Sequence, residues 1–390
     1  VVGGGVVGAA SALMLAREGL QVALVEAQRP AAWTREQRDL RVFAFAPDNA
    51  SLLAQLGVWG TVSASRAQPY RGMRVWDAAG GEPLVFDADA LGERQLGWIV
   101  ENAVLVDALW QALPAAGVRV HCPARVAQLE QMDAGVRIGL DDGLVLDARL
   151  AIAADGGHSA LRRLAGIEAP VHDYQQRGVV AFVASEVAHR HTCWQRFLPT
   201  GPVAFLPFSA DGDAALEGRL GSIVWTLPSD EAQRLLDAPT AQFENELSAA
   251  FGGELGALTL QSARAAFPLR RQLAQRQRAG HVLLVGDAAH VMHPLAGQGV
   301  NHGLRDVSAL QASMQAAKAD GADPISPTRL ARWARTRKSD NALGAYSFEA
   351  INRVFSNEAM LPTLLRGPLL GIAGRLPPLT RALWRHAAGK

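Results

Sequence analysis

Apolar positions fall into short Val/Leu-rich runs and longer stretches of helical period, and where one gives way to the other sets the reading. His281 to Val285 is an apolar run that predicts a buried strand, ended by Gly286 and Asp287. Val300, Leu304, Val307 and Leu310 then recur at helical spacing, which predicts a long helix opened by Gly297-Gln298-Gly299. The same grammar stands at the start. Val1 and Val2 read as the end of a strand, so the sequence is expected to begin inside it. Gly3, Gly5 and Gly8 follow in a GxGxxG pattern, then a small-residue helix through Ala9, Ala12, Leu13 and Ala16, with Gly19 as its stop. Leu20 to Val25 predicts a second strand, ended by Glu26, and Leu150 to Ala154 another, ended by Asp155-Gly156.

Between these points the pattern is mixed. Ser51 to Leu56 reads as helix, Met73 to Phe86 as a hairpin turning at Ala79-Gly80-Gly81, and Trp98 to Trp110 as helix. Short strands at 118–120, 126–129, 136–140 and 144–146 suggest a meander. From Tyr174 to Phe267 strands dominate (179–184, 193–198, 203–206, 221–227), interrupted by one helix from Asp230 to Ala250. After Pro327 the pattern is helical to the end. The expected fold is α/β with α+β mixing. A Rossmann-like cofactor domain from residues 1–68, 97–172 and 270–326 carries an inserted β-sheet substrate domain from 69–96 and 173–269. A helical C-terminal region follows at 327–390.

Composition narrows the class. With 390 residues, 49% of them apolar, the chain can build two or three domains. A net charge of +1 leaves no nucleic-acid footprint. Cys122 and Cys193 have neither metal-ligand spacing nor a disulfide framework, which suits a reducing compartment, and no metal is expected. No apolar run reaches about 18 residues, the length a spanning helix needs. The tail from Met360 to Trp384 alternates basic and apolar residues; it suits either packing on its own protein or an anionic membrane surface.

The chemistry concentrates at the strand ends. A glycine-rich turn before a helix lets a pyrophosphate approach unpaired N–H groups, and an acid about 20 residues on can accept from a ribose hydroxyl. Gly3, Gly5, Gly8 and Glu26 fit that unit, which is a strong signal only because helix, strand and acid are all in place. Arg35, Arg38 and Arg41 follow it; Arg41, between Leu40 and Val42, is the best placed to meet a pyrophosphate. Asp287 is positioned by its strand to accept from a sugar-like hydroxyl, and the Gly297–Gly299 helix start favours negative charge. The aromatics Trp194, Phe197, Phe205, Phe208 and Trp225 read either as plain sheet core or as a sheet closing over one face of a flat ring; for a ligand with an apolar tail, Phe205, Leu206, Phe208 and Trp225 are the residues whose type suits a channel.

The combination of GxGxxG with Glu26, Asp155-Gly156 and Gly286-Asp287 in chain order resembles the flavoprotein aromatic hydroxylases of the p-hydroxybenzoate hydroxylase fold. His293-Pro294-Leu295-Ala296-Gly297-Gln298-Gly299-Val300-Asn301 is similar to their ubiquinone-biosynthesis branch. So are Ile99-Val100-Glu101-Asn102, Trp194-Gln195-Arg196-Phe197 with Gly201-Pro202-Val203-Ala204-Phe205-Leu206-Pro207, and Val224-Trp225. His302 and Ala103 depart from it, where the branch commonly has Leu and Arg. The resemblance implies FAD as cofactor and NAD(P)H as co-substrate. It also implies a flavin C4a-hydroperoxide that passes oxygen from dioxygen to a prenylated phenol or quinol. Gly3, Gly5, Gly8, Glu26, Arg41, Asp155, Gly156, Gly286, Asp287, Gly297, Gln298, Gly299 and Asn301 would hold the cofactor, and His293 and Pro294 would line the ring pocket. His290, His293 and Tyr174 are the candidates for a base. Two alternatives stay open: a small soluble aromatic acid as substrate, which would call for an arginine in the pocket, and a non-catalytic prenyl binder on the same scaffold. The implied location is cytoplasmic, with peripheral contact to the inner membrane or a biosynthetic complex.

Overall fold

Val2 bridges in parallel to both Val25 and Ala153, and that pairing organises the molecule. The computed structural model describes residues 1–292 and 299–355 (backbone only for 345–355), with Arg381, Trp384, Arg385, Ala388 and Gly389. A parallel sheet runs in the order Arg119–His121, Ala23–Val25, Val2, Ala151–Ala153, Val282–Leu284, with Arg278–Ala279 antiparallel at its edge. Gly5, Asp155 and Asp287 therefore follow three strands of one parallel sheet. In such sheets ligands bind beyond the carboxyl ends of the strands.

Helices cover one face of this sheet. Val6–Arg17 is nearly all Ala, Val, Leu and Met, with Ala9, Ala10, Ala12 and Met14 fully buried. Their small side chains let Asn102–Ala112 and Gly299–Ala319 pack close on either side, and one apolar cluster joins the three helices. The opposite face is covered by the antiparallel meander Val126–Met132, Gly135–Leu140 and Val145–Ala148. Its Val136, Ile138 and Leu140 pack on Val25, Ala151 and Val282.

A second, larger sheet lies beside this unit. Its order is 290–291, 265–273, 171–185, 220–228, 201–207, 192–198, 72–77, 84–87. One face packs on the helices Ser229–Asp237 and Thr240–Ala250. The other meets a small sheet of Val42–Phe45, Gly97–Glu101 and Ala67–Tyr70 through Val42, Ile99, Phe182, Leu206 and Phe208.

Several local expectations change. The stretch expected as one helix over 230–250 is two, because Pro239 cannot continue a helix and holds Ala238 extended. Gly97–Glu101 is a strand rather than helix; Trp98, Ile99 and Val100 pair with Val42–Phe45 before the helix begins at Asn102. Arg119–His121 leaves the meander and pairs in parallel with Ala23–Val25. The expected strand 20–25 shortens to Ala23–Val25, and the expected helix 51–56 lengthens to Pro47–Gln55, with Pro at its first turn. The helix after Pro327 runs to Phe355, and most of the basic and apolar tail lies outside the described residues.

Candidate functional site

The glycines of the first turn divide by what surrounds them. Gly3 has φ +98°, and a Cβ there would meet the Ala154 carbonyl oxygen at 2.4 Å. A Cβ on Gly8 would lie 1.9 Å from the Gly3 oxygen. Both glycines serve the close packing of turn, helix and strand. Gly5 is different: it caps the Val6–Arg17 helix, and a Cβ there meets nothing within 4 Å. Open space thus lies before a helix N-terminus whose first N–H groups lack intrahelical partners. Glu26 stands beside it. Its Oε2 accepts the Gly4 N–H at 2.5 Å and its Oε1 the Gln28 N–H at 3.0 Å. A carboxylate offers about four acceptor sites, so capacity for a ribose hydroxyl remains. Trp110, which sequence reasoning missed, donates from Nε1 to the Gly4 oxygen at 2.6 Å and fixes the turn from behind.

The third strand end presents Asp287. Gly286 adopts φ +57° and is buried, while Asp287 is exposed with no side-chain partner among the described residues. The Gly299–Ala319 helix reaches this turn because Gly303 has no side chain; a Cβ there would lie 3.1 Å from the Gly286 Cα and 2.6 Å from a Val7 methyl. Beneath the turn lies Asp306, fully buried. Its Oδ2 accepts the Gly286 N–H at 3.0 Å and faces His290 Nε2 at 2.6 Å. Its Oδ1 accepts from Arg337 Nε at 2.8 Å and Asn341 Nδ2 at 3.1 Å. Burial alone would raise this carboxyl, but His290 and Arg337 outweigh it and hold it at about 2. Asp306 was readable only as an acid within an apolar helical stripe, between Leu304 and Val307.

Asp155 and Asn301 have tasks that the sequence did not suggest. Asp155 accepts from the Ser159 hydroxyl and from the N–H groups of Ala160 and Leu161 at 2.8 and 3.1 Å. Its carboxylate therefore caps the Ala160–Leu164 helix, and the neighbouring Gly156, at φ +79°, is the open part of that turn. Buried Arg162 ties the turn to the next strand end, donating to the Gly157 oxygen at 2.8 Å and the Ala288 oxygen at 2.9 Å. Asn301 Oδ1 accepts from Ala46 N and from Asn49 Nδ2, and its Nδ2 donates to the Ala44 oxygen at 2.7 Å. This buried amide clamps the new helix to the corner between Val42–Phe45 and Pro47–Gln55.

Arg41 is exposed, and its side chain has no partner among the described residues. Its backbone is fixed at both ends, to Asp39 Oδ1 at 2.9 Å and to the Asn102 N–H at 2.8 Å. Behind it Glu101, fully buried, takes the Asp39 N–H at 2.7 Å and pairs with buried Arg66 at 3.2 Å. Burial pushes this carboxyl up despite those donors. His293, Pro294, Gly297 and Gln298 lie outside the described residues; Gly299 is the first residue of its helix.

A cavity of about 100 Å³ lies between the two sheets, near the start of that helix. It is lined by Ala44, Ala46, Pro47 and Asn301, by Met73, Phe86, Leu96, Trp384 and Ala388, and by Tyr70, Cys193, Trp194, Gln195, Ala204 and Leu206. Among the expected channel residues only Leu206 lines it. Phe205 and Trp225 point to the opposite face of the sheet, into the core against the two helices, and Phe208 packs on Phe182 with ring centroids 4.8 Å apart. Alternation along a strand makes neighbours face opposite ways. Tyr174 stacks edge-on against His172, on a strand bulge away from this cavity. His290 is a buried partner of Asp306 and does not line it either. Tyr70, which the sequence did not single out, does. Burial, with Cys193 as a lesser cause, pushes its phenol up, so it stays protonated and can donate.

Compared with known proteins, residues 1–332 match a family model described as an FAD binding domain. The chain is 38% identical over 393 residues to the ubiquinone hydroxylase UbiL of Rhodospirillum rubrum, covering 100% of this chain and 89% of that protein. It is 37% identical over 391 residues to the 3-demethoxyubiquinol 3-hydroxylase of Escherichia coli, covering 100% and 97%. Among solved structures, p-nitrophenol 4-monooxygenase PnpA from Pseudomonas putida superposes with a TM-score of 0.77 at 19% identity, covering 99% of this chain and 96% of that one.

Proposed function

The chain belongs to the FAD-binding-domain family, and from that premise we propose that it hydroxylates the ring of a prenylated phenol or quinol in ubiquinone biosynthesis. It is a flavin-dependent aromatic-ring monooxygenase. The observation that carries the substrate reading is the lining of the cavity: among the described residues it holds no Arg, Lys or His. A small aromatic acid would need a cation to pair its carboxylate there. An alkylated ring needs the apolar surface that Met73, Phe86, Leu96 and Trp384 offer.

The residues fit the cofactor. The open space before Gly5 takes a pyrophosphate, Glu26 a ribose hydroxyl, and exposed Asp287 a ribitol hydroxyl. Gly297, Gln298 and Gly299 would complete the cradle at the helix start, with Arg41 and Gly156 at its margins. Bound FAD supplies electron transfer from NAD(P)H and the activation of dioxygen. The protein's part is placement. Asn301 and Asp306 hold the long helix and the Gly286 turn in fixed register. The apolar cavity excludes water from the reacting ring. Tyr70 donates a hydrogen bond to a substrate oxygen and so orients the ring. His158 and Arg270, 3.0 Å apart beside Gly156, form a basic rim suited to the phosphates of NAD(P)H.

The residues 1–68, 97–172 and 270–326 make up the cofactor domain in this reading, and 69–96 with 173–269 the substrate domain. Among the described residues no helix is long and apolar enough to cross a membrane. A prenylated substrate partitions into bilayers, so peripheral contact through the basic tail belongs to the reading, and co-sedimentation with anionic vesicles tests it. The decisive measurement is dioxygen consumption with a phenol series of increasing alkyl chain length. Affinity should rise with the chain; equal kcat/KM for short and long chains would defeat the substrate reading. A colourless protein that gains no flavin on reconstitution would defeat the monooxygenase itself.

A further inference from the structure

Cys193, Gln195 and Phe197 are the buried residues of the strand Thr192–Leu198, and by alternation they share one face of the large sheet. Cys193 and Gln195 line the cavity assigned to the aromatic ring. The ladder neighbours of Gln195 are Val75 on one side and Ala204 on the other, and both are buried. Gln195 is 8% exposed, and its amide has no hydrogen-bond partner among the described residues. An apolar side chain would suit such surroundings better. Buried polar groups are nearly always hydrogen-bonded, so an amide held here without a protein partner implies a ligand that supplies one.

The other polar side chains of this lining are committed or of a different kind. Asn301 Oδ1 accepts from Ala46 N and Asn49 Nδ2, and its Nδ2 donates to the Ala44 oxygen. Trp194 directs its Nε1 to the His189 oxygen at 3.4 Å. Burial pushes the Cys193 thiol and the Tyr70 phenol up, so both keep their protons and act as donors. Among the described lining residues Gln195 is therefore the one that offers a free carbonyl acceptor together with N–H donors. Tyr70 belongs to the small sheet and Gln195 to the large one, so a ring between the sheets is reached by polar groups of two separate elements.

We propose that Gln195 is a specificity-determining residue whose Oε1 accepts the O–H of the substrate ring, while Tyr70 donates to a ring oxygen. This rests on the reading of the cavity as the ring site. The pairing selects a ring with a free hydroxyl over the same ring with that oxygen alkylated. A buried acceptor built for an O–H is left unpaired by the analogue that lacks it. An O–H held by an amide carbonyl leaves the phenol neutral, yet shifts electron density towards the carbons ortho and para to oxygen, where electrophilic hydroxylation takes place. Holding the hydroxyl also fixes the orientation of the ring, and with it which carbon is presented.

Isothermal titration calorimetry of the flavin-loaded full chain, without NAD(P)H, compares ortho-heptylphenol with its methyl ether. The wild type should bind the phenol about tenfold more tightly, the discrimination expected when a buried acceptor loses its donor. Gln195→Met keeps the length and apolar stem of the side chain, and should bring that ratio to about one, chiefly by weakening the phenol. Gln195→Glu keeps an acceptor and should retain a severalfold preference. Equal affinity for phenol and ether in the wild type would overturn the assignment. So would an undiminished ratio in Gln195→Met, because a merely structural glutamine would weaken both ligands alike. Failure of the wild type to bind either ligand would instead overturn the reading of the cavity as the ring site.

Discussion

The carboxylate of Asp306 accepts the backbone N–H of Gly286 at 3.0 Å, deep beneath the turn that presents Asp287. One buried acid thus joins the turn, His290 and the helix carrying Arg337 and Asn341. Removing it leaves a buried guanidinium and a buried N–H without their acceptor, and breaking such a pair costs about 3–5 kcal/mol. Asp306→Ala should therefore lower unfolding stability by roughly that amount and lose flavin in proportion. Denaturant unfolding with bound FAD measured per folded molecule checks this, and unchanged stability would refute the network's role.

The same residue gives a pH dependence. Its folded value, about 2, is depressed from an ordinary 3.8, so its contribution is complete above 3.8 and lost as pH falls towards 2. Stability measured from pH 5 to pH 2 should fall more steeply in the wild type than in Asp306→Asn, which cannot titrate. Parallel curves would show that other carboxylates dominate acid unfolding.

Asp287 is exposed and unpartnered among the described residues, so its removal should spare the fold. A charge-assisted bond to a ribitol hydroxyl is worth about 1.5–3 kcal/mol, roughly ten- to a hundredfold in dissociation constant. Asp287→Ala should purify pale with its melting temperature intact once apo forms are compared, and Asp287→Asn should be intermediate. Full flavin occupancy in the alanine variant would remove Asp287 from the site.

The glycines of the first turn should separate fold from binding. Gly3→Ala and Gly8→Ala drive a methyl into backbone at 2.4 and 1.9 Å, which only a shift of the strand or helix relieves. Each should destabilise by about 1–3 kcal/mol or more. Gly5→Ala adds a methyl to open space and should change stability by no more than about 0.5 kcal/mol while weakening flavin binding. Unchanged flavin affinity in Gly5→Ala would mean the space before Gly5 serves no ligand.

Phe205 and Leu206 should behave oppositely. Phe205 is fully buried against the helices, and Phe205→Ala should cost about 3–5 kcal/mol of stability. Leu206 lines the cavity, and Leu206→Phe narrows it; KM for long-chain phenols should rise several times more than for short ones. The reverse assignment of effects would invert the sheet's two faces.

Much of this architecture was legible along the chain because its signals are local. The strand-ending acids Glu26, Asp155 and Asp287, and the glycine turn at Gly3–Gly8, announce themselves within a few residues through periodicity and backbone need. What lay beyond reach was every choice that depends on a partner distant in sequence. Nothing near Phe205 says whether it or Leu206 faces the helices, since a period of two fits either face until a second layer packs on one. Asp155 caps its own helix, and Asn301 turns to a corner over 250 residues away, because buried polar groups take whatever acceptor or donor the fold brings within reach. Asp306 is the sharpest case: alone it is an acid in an apolar stripe, an unfavourable residue there. Only the approach of Arg337, His290 and the Gly286 N–H makes its burial stable, because desolvation of a charge is offset by specific groups at hydrogen-bond distance and by nothing in the local pattern.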